Sequence, residues 1–299
     1  MRRLRGLLLH VKRGTLGKRL QPECDRLLLA GRKRAWRDLS ASGDPIPFRL
    51  PEGPTIELIP GSSVGQSVFI GRFERAEREF VRRFLRPGET FVDVGANVGL
   101  FSLIAAQAVG PSGNVIAVEP VLEAHGRLES AIVLNGFTNI RVFPLALSDR
   151  TANAVLSVVQ GYQEAWTTFG IPPGGVRIEQ RMVPTQTLDS LLRAAGPARP
   201  PALIKIDVEG WETPVIIGGA ELLSGPNAPV LLVEFADEQA AACGFSTEDL
   251  ARRLRGLGYA LFHLSHKGTR LRPELRPLRF VGTNLVATKN LDDVTSRLE

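Results

Sequence analysis

The sequence predicts a doubly wound α/β fold in which helices cover both faces of a mostly parallel sheet. From Thr90 onward, short apolar runs alternate with longer segments whose apolar residues recur at helical spacing. The apolar runs are continuous, which is typical of strands buried on both faces of a sheet. Glycine, proline or an Asn-Gly pair ends most of the elements. Strands and helices that alternate in this way build a parallel sheet.

The predicted elements follow one another along the chain in this order. The predicted strands are residues 90–94, 115–118, 140–147, 202–206, 230–235, 259–264 and 280–287. The predicted helices are residues 71–86 (ended by Pro87-Gly88), 100–109, 122–134, 213–223 and 247–257. Only a loop separates the last two strands, so we expect them to form an antiparallel hairpin at the edge of the sheet.

Residues 151–201 interrupt the alternation with clusters of glycine and proline. Within them, residues 176–183 alternate like a strand and residues 187–195 have the pattern of a helix. An insert on the carboxyl side of such a sheet often shapes the ligand pocket. The predicted organisation is a basic arm and linker over residues 1–50, a main domain over 51–290 that contains the insert, and a C-terminal tail over 291–299.

The composition is that of a globular protein. The 299 residues are 43% apolar and 23% charged, and no apolar stretch is long enough to span a membrane. The two cysteines, Cys24 and Cys243, fit neither a disulfide framework nor the spacing of a metal site. We therefore expect a cytoplasmic protein.

The net charge of +6 is concentrated in the N-terminal arm. Residues 1–40 hold twelve Lys or Arg against three acidic residues, so the rest of the chain is mildly acidic. A nucleic-acid partner is therefore not expected, although the pI is near 9.8. The apolar residues at the start of the arm fall on one helical face, and we expect a solvated terminal helix. The alternative is a helix that touches anionic lipid or an acidic partner.

The first group of candidate functional residues follows the strand at residues 90–94. Asp93 is followed by the loop Gly95-Ala96-Asn97-Val98-Gly99, which opens a helix. Glycines let a backbone approach a ligand closely, and a helix N-terminus offers free N–H groups. Glu119 ends the next strand, where an acidic residue can bind both hydroxyls of an adenosine ribose. The pattern predicts an adenosine-type ligand.

The residues of this loop favour S-adenosylmethionine over a dinucleotide. A dinucleotide site has a glycine where this chain has Asn97, because the pyrophosphate needs that space. Asp93 at the head of the loop would repel a pyrophosphate but attract an ammonium group. The predicted cofactor-binding residues are Asp93, Gly95, Ala96, Asn97, Gly99, Glu119, Ser148 and Asp149.

The second group lies in the segment L-I-K-I-D-V-E-G-W-E, residues 203–212. Strand side chains alternate, so Lys205 and Asp207 point to the same side. We expect Asp207 to face the transferable methyl group, and Lys205 or Glu209 to steer the methyl acceptor. The alternative is a purely structural ion pair between Lys205 and Asp207.

Two further residues end strands and are weaker candidates. Glu234 follows an apolar run, and with Asp207 and Glu209 it could hold a divalent metal, although no metal site is predicted. His263 could serve as a general base, or it could be a packed histidine.

These segments resemble the FkbM family of methyltransferases, which mostly modify hydroxyl groups of small natural products and sugars. The matching segments are F-V-D-V-G-A-N-V-G-L-F-S, V-I-A-V-E-P, A-L-S-D, T-L-D-S-L-L, I-K-I-D-V-E-G-W-E, G-G-A-E-L-L and L-L-V-E, in the order of the family. The resemblance implies a seven-stranded, Rossmann-like methyltransferase sheet with the glycine loop and Glu119 at the cofactor. It also implies that Ser148-Asp149 lies near the adenine, and that the charged residues of 205–212, Glu212 included, lie by the reaction centre.

The predicted reaction is direct transfer of the methyl group to a hydroxyl of a small molecule, sugar or lipid. Asp207 is the predicted general base, ahead of Glu209, Glu234 and His263. The alternatives are a methyltransferase that grips RNA or protein with the basic arm, a nucleotide-dependent dehydrogenase or epimerase, and a non-catalytic cofactor-binding scaffold.

Overall fold

The computed structural model describes residues 15–159, 166–170, 177–274 and 280–299. The first part of the predicted arm and the predicted insert residues 160–165 and 171–176 lie outside these ranges. By their internal contacts, the residues form two compact units, Met1–Ile46 with Leu58–Phe73 and Pro47–Glu57 with Glu74–Glu299. The second unit contains every predicted site residue.

The helices and strands are numbered in chain order. The helices are α1 (Thr15–Ser40), α2 (Ser63–Ile70), α3 (Arg75–Phe84), α4 (Leu100–Val109), α5 (Leu122–Asn135), α6 (Leu188–Ala195), α7 (Glu212–Gly218), α8 (Ala220–Ser224), α9 (Asp237–Ala242), α10 (Thr247–Gly256) and α11 (Leu291–Leu298). The strands are β1 (Ile46–Arg49), β2 (Thr55–Leu58), β3 (Thr90–Val94), β4 (Asn114–Val118), β5 (Ile140–Phe143), β6 (Ala146–Leu147), β7 (Ala152–Val159), β8 (Trp166–Thr168), β9 (Ile178–Gln186), β10 (Pro201–Ile206), β11 (Val230–Phe235), β12 (Ala260–Leu264), β13 (Leu271–Pro273) and β14 (Thr283–Thr288).

The main sheet confirms the predicted doubly wound, mostly parallel architecture. Its strand order is β13-β12-β14-β11-β10-β3-β4-β5. The five strands from β11 to β5 are parallel, and β14 and β12 are antiparallel to their neighbours. Apolar residues of α6, α7 and α10 pack on one face with those of the central strands. On the other face, Ala117 packs against Leu128 of α5.

Two details of the predicted sheet were wrong. The described part of this sheet has eight strands rather than seven, because the short β13 pairs with β12. The sequence Leu-Arg-Pro of β13 has no alternating pattern, so only the tertiary pairing reveals it. The hairpin of β12 and β14 is antiparallel as predicted, but β14 lies inside the sheet between β12 and β11.

A second sheet of four strands, in the order β6-β9-β7-β8, is built from the insert. The predicted strand at residues 140–147 is divided between β5 in the main sheet and β6 in this one. The long antiparallel pair of β7 and β9 was predicted only in part, as a strand at residues 176–183. Leu156, Val158 and Val183 bury the inner side of this sheet against Val121 and Ala124.

Other segments are also more regular than predicted. The Pro- and Gly-rich residues 41–60 contain the hairpin β1–β2. Helix α2 precedes α3, and α3 is shorter than the helix predicted at residues 71–86. Residues 291–298, predicted as part of a tail, form α11, whose Val294 and Leu298 are buried. Within the described ranges, no helix has the length and apolarity needed to cross a membrane.

Candidate active site

The loop after β3 follows a path that requires glycine at two positions. Gly95 has φ of 81° and Gly99 has φ of 88°, in the left-handed region. A Cβ on Gly95 would lie 1.9 Å from the carbonyl oxygen of Asp207, and one on Gly99 would lie 2.2 Å from Leu128 Cδ1. The loop is therefore held tightly against the end of β10 on one side and α5 on the other.

Glu119 links the end of β4 to this glycine loop. Its Oε2 accepts a hydrogen bond from the Asn97 backbone N–H at 2.8 Å, and its Oε1 accepts one from Val121 N–H at 2.9 Å. Burial raises the pKa of Glu119 to about 7, against the effect of these two hydrogen bonds. The carboxyl group thus lies beside the loop, where the sequence predicted it, and its contact with a ribose stays a prediction.

Asp93 lies beneath the loop and is 1% exposed. Its Oδ2 accepts a hydrogen bond from Ser102 Oγ at 2.6 Å. Asp93 Oδ1 and Asn97 Oδ1 are buried and find no hydrogen-bond partner among the described residues. Buried oxygens without a partner are costly, so both favour a ligand that brings N–H groups. An ammonium group next to a close-fitting glycine loop meets this requirement, and S-adenosylmethionine therefore fits the residues present.

Ser148 and Asp149 lie against an aromatic cluster. Trp211 Nε1 donates a hydrogen bond to Ser148 Oγ at 3.3 Å, and Ser148 Oγ donates one to Asp149 Oδ1 at 3.1 Å. The Trp211 ring packs between Phe169, with centroids 4.8 Å apart, and Phe245, at 5.4 Å. Sequence analysis did not predict this cluster, because its three rings come from distant parts of the chain.

The predicted pair of Lys205 and Asp207 forms at the end of β10. Lys205 Nζ lies 2.6 Å from Asp207 Oδ2 and 4.7 Å from the centre of the Phe101 ring. Lys205 is 3% exposed. Burial lowers its pKa, but Asp207, Glu74 and Asp93 raise it by more, so the pKa of Lys205 lies above its usual value. The ammonium group is therefore charged and held in place.

Glu209 and Glu212 follow this pair in a tight turn. Glu209 has φ of 54°, an uncommon conformation for a residue other than glycine. Glu212 Oε1 accepts hydrogen bonds from the backbone N–H groups of Val208 and Gly210 at 3.0 and 3.2 Å. Burial raises the pKa of Glu212 to about 7. Glu212 therefore fixes the shape of the turn that carries Asp207 and Glu209.

Glu74 and Asn284 belong to this region, and sequence analysis missed both. Asn284 on β14 is the register partner of Glu234 on β11. Its Nδ2 donates a hydrogen bond to Oε1 of Glu74, the residue before α3, at 3.1 Å. A polar residue within the apolar run of β14 was the available signal for Asn284. No local pattern marks Glu74, which comes close only through the packing of α3 on the sheet.

His263 is not brought together with the other predicted catalytic residues. It is the register partner of Leu285, which pairs with Val233, so His263 projects from the face opposite to Glu234. On that face His263 Nε2 contacts Glu274 Oε2. The prediction of a base at His263 ignored this alternation along the strands.

The described residues contain no group of three or more His, Cys, Asp or Glu side chains arranged to hold a metal ion. Asp207, Glu209 and Glu234 interact electrostatically, but Lys205 also interacts with Glu234 and carries a compensating charge. The arrangement is thus an acidic cluster with a buried cation.

The fold and this site define a Rossmann-like domain whose candidate ligand site lies at the carboxyl ends of β3, β4 and β10. The family model of the methyltransferase FkbM domain matches residues 93–261, more than half of the chain. The chain therefore belongs to the FkbM methyltransferase family, as the sequence predicted. It carries an S-adenosylmethionine-dependent methyltransferase domain.

The chain is also similar to individual proteins and solved structures. The chain is 28% identical to 31-O-demethyl-FK506 methyltransferase FkbM of Streptomyces tacrolimicus, over 72% of this chain and 88% of that protein. A shorter match, 32% identical, covers 24% of this chain and 20% of arsenite methyltransferase of Halobacterium salinarum. Methyltransferase FkbM from Methylobacillus flagellatus KT matches 75% of this chain and 54% of its own, at 16% identity and a TM-score of 0.43. The chain thus spans a fifth of one of these relatives and about half of another.

Proposed function

We propose that this protein transfers a methyl group from S-adenosylmethionine to a hydroxyl of a small molecule. The ion pair of Lys205 and Asp207 carries the proposal, because it lies at the end of β10 against the glycine loop. The name of the Streptomyces tacrolimicus relative describes an oxygen position on a small molecule, which supports the same type of acceptor.

We also propose a cytoplasmic location, on the cysteine content alone.

The cofactor would be held by the groups around the glycine loop. The backbone at Gly95–Gly99 and the start of α4 offer N–H groups, and Glu119 would bind the ribose hydroxyls. Asp93 would attract the amino group, and Ser148 with Asp149 would lie toward the adenine. When bound, S-adenosylmethionine supplies a methyl group that is activated by the positive charge on sulfur.

Asp207 would accept the proton that the hydroxyl releases. The charged ammonium of Lys205 fixes the direction of the Asp207 carboxyl group through the 2.6 Å contact. Alignment of the reacting groups can supply about 7–11 kcal/mol of the barrier, and a well-placed base adds about 10²–10⁴-fold in rate. Lys205 cannot take this role because its pKa is raised.

The substitution Asp207→Asn tests this role. Turnover of labelled S-adenosylmethionine with hydroxyl-bearing acceptors should fall by about 10²–10⁴-fold, because the amide cannot take up the proton. Calorimetric binding of S-adenosylhomocysteine should survive, since Asp207 is not among the residues proposed to hold the cofactor.

Asp292→Asn is the matched control, because Asp292 is exposed on α11 and should leave turnover unchanged. Undiminished turnover in Asp207→Asn would contradict the assignment of the base. Binding of NAD in preference to S-adenosylhomocysteine would contradict the function itself.

A further inference from the structure

A polar pair on β11 and β14 lies next to the proposed reaction centre and outside the cofactor loops. Glu234 and Asn284 are register partners on antiparallel strands, so their Cβ atoms are about 5 Å apart on one face. Lys205 projects from the same face, because its register partner is Leu232, two residues before Glu234. The pair therefore shares a side of the sheet with the ion pair at the end of β10.

One buried oxygen atom on each of these side chains finds no partner among the described residues. These atoms are Glu234 Oε2 and Asn284 Oδ1. If Glu234 were ionised, both atoms would be acceptors and neither could satisfy the other. A proton on Glu234 turns its oxygen into a donor, and a single O–H···O hydrogen bond then satisfies both atoms.

The charges around Glu234 support the protonated form. Burial is the largest cause, and the carboxylates of Asp207, Glu209 and Glu212 add to it, while Lys205 opposes them. Together they raise the pKa of Glu234 to about 10. At neutral pH the side chain is therefore a carboxylic acid and a hydrogen-bond donor.

The other side of the Asn284 amide faces Glu74. Asn284 Nδ2 donates to Glu74 Oε1 at 3.1 Å. Glu74 has φ of 40° and ψ of 45°, a left-handed conformation that is strained for a glutamate. The turn after β12 packs on the start of α3, since a Cβ on Gly268 would lie 2.0 Å from the Ala76 carbonyl oxygen. Packing thus holds Glu74 in a conformation that its own sequence does not favour.

Glu74 also lies close to the reaction centre. Burial raises its pKa to about 7, Lys205 lowers it, and Asp207 and Glu77 raise it. The hydrogen bond from Asn284, the register partner of Glu234, places the Glu74 carboxyl group on the side of the sheet that carries Lys205. Glu74 is partly buried, so part of the residue remains open to solvent.

We propose that Glu234 is a neutral carboxylic acid that donates to Asn284, and that Asn284 in turn orients Glu74 to bind the methyl acceptor. Glu234 and Asn284 are positioning residues, whereas Glu74 touches the acceptor. This assignment rests on the proposed function for its second half, the contact of Glu74 with the acceptor. The acidic side chains of Glu74, Asp207 and Glu209 favour a neutral hydroxyl compound over an anionic one.

Infrared difference spectroscopy tests the first half without any substrate. Spectra are recorded on the wild type and on Glu234→Gln at about pH 8.5, where groups with a pKa of about 7 are mostly ionised. In the difference spectrum of Glu234→Gln against the wild type, the C=O stretch of one protonated carboxylic acid should be lost. In Asn284→Leu this band should move, because its hydrogen-bond acceptor is gone. A difference spectrum without that loss, or a band that does not respond to Asn284→Leu, overturns the hydrogen bond between Glu234 and Asn284.

Steady-state kinetics test the second half on an acceptor found with labelled S-adenosylmethionine. Glu234→Leu should raise the KM for the acceptor by about tenfold and change kcat little, since a positioning hydrogen bond is lost. Glu234→Gln should restore the wild-type KM, because its amide N–H donates to Asn284 in place of the acid. Glu74→Leu should raise KM at least as much, and Glu79→Gln on the outer side of α3 is the matched control.

The outcomes separate the two proposals. An unchanged KM in Glu234→Leu and Glu74→Leu overturns the role of these residues in acceptor binding. A failure of Glu234→Gln to restore the wild-type KM overturns it as well. An acceptor preference for anionic compounds overturns the assigned role of Glu74. If no hydroxyl compound is methylated, the proposed function fails together with the role of Glu74, and the infrared result still decides the state of Glu234.

Discussion

At the scale of single residues, the site depends on positions where a side chain has no room. Gly95 combines a left-handed φ with a backbone contact to Asp207, so it joins the glycine loop to the end of β10. The glycines were visible in the sequence as a loop that opens a helix. The contact with Asp207 was not, because it joins residues that are far apart in the chain and adjacent only in the sheet.

Gly95→Ala should therefore damage both stability and cofactor binding. The added methyl would meet the Asp207 carbonyl oxygen at 1.9 Å in a conformation that alanine rarely adopts. We expect a loss of about 3 kcal/mol in the free energy of unfolding, measured with urea, and loss of S-adenosylhomocysteine binding in calorimetry.

The matched control is Gly126→Ala in the middle of α5. A Cβ there meets nothing within 4 Å, and the backbone is helical. This variant should gain about 0.5–1 kcal/mol and keep cofactor binding. Equal effects at the two positions would argue against the close contact at Gly95.

At the scale of elements, strand alternation decides which side chains can meet. Lys205, Glu234 and Asn284 share one face of the sheet, whereas His263 projects from the other. The carboxyl ends of β3, β4, β10, β11 and β12 were predicted correctly, but faces cannot be compared until the register between strands is known. This is why Asn284 was missed and His263 was included.

The terminal helix α11 shows how a segment outside the strand pattern contributes to stability. Leu298 is 4% exposed, and Arg297 lies over the Phe84 ring of α3 at 4.6 Å. Leu298→Ala should lower the free energy of unfolding by about 2 kcal/mol, measured by urea denaturation. Leu291→Ala makes the same change on the same helix at a side chain that is 41% exposed, and it should have little effect. Similar losses for both variants would mean that α11 does not pack as described.

At the scale of the whole molecule, several buried acidic side chains lie at the carboxyl end of the sheet. Burial is the largest cause that raises the pKa of Glu74, Glu119 and Glu212 to about 7 and that of Glu234 to about 10. Each of these acids holds its proton more tightly in the folded chain than in the unfolded chain. Their contribution to stability is complete below about pH 4.5 and is lost as pH rises through the folded-state values.

The ligand-free protein should accordingly become less stable as pH rises from about 5.5 to about 8.5. Carboxyl groups with lowered pKa values, such as Glu79 and Glu123, act below this range and do not reverse the trend. Differential scanning calorimetry across this range measures the effect. The slope should be shallower in Glu212→Gln than in the wild type, and a melting temperature that rises with pH would contradict the burial of these acids.

The sequence by itself determined the fold class, the family and the local identity of the two site segments. These properties depend on periodicity and on motifs that are continuous in the chain, so they can be predicted without knowledge of the packing. Only the tertiary structure decided the eighth strand, the sheet formed by the insert, and the meeting of Glu74, Asn284 and Glu234. Strand register and helix packing bring these residues together, and both are set by contacts between segments that are distant in the chain.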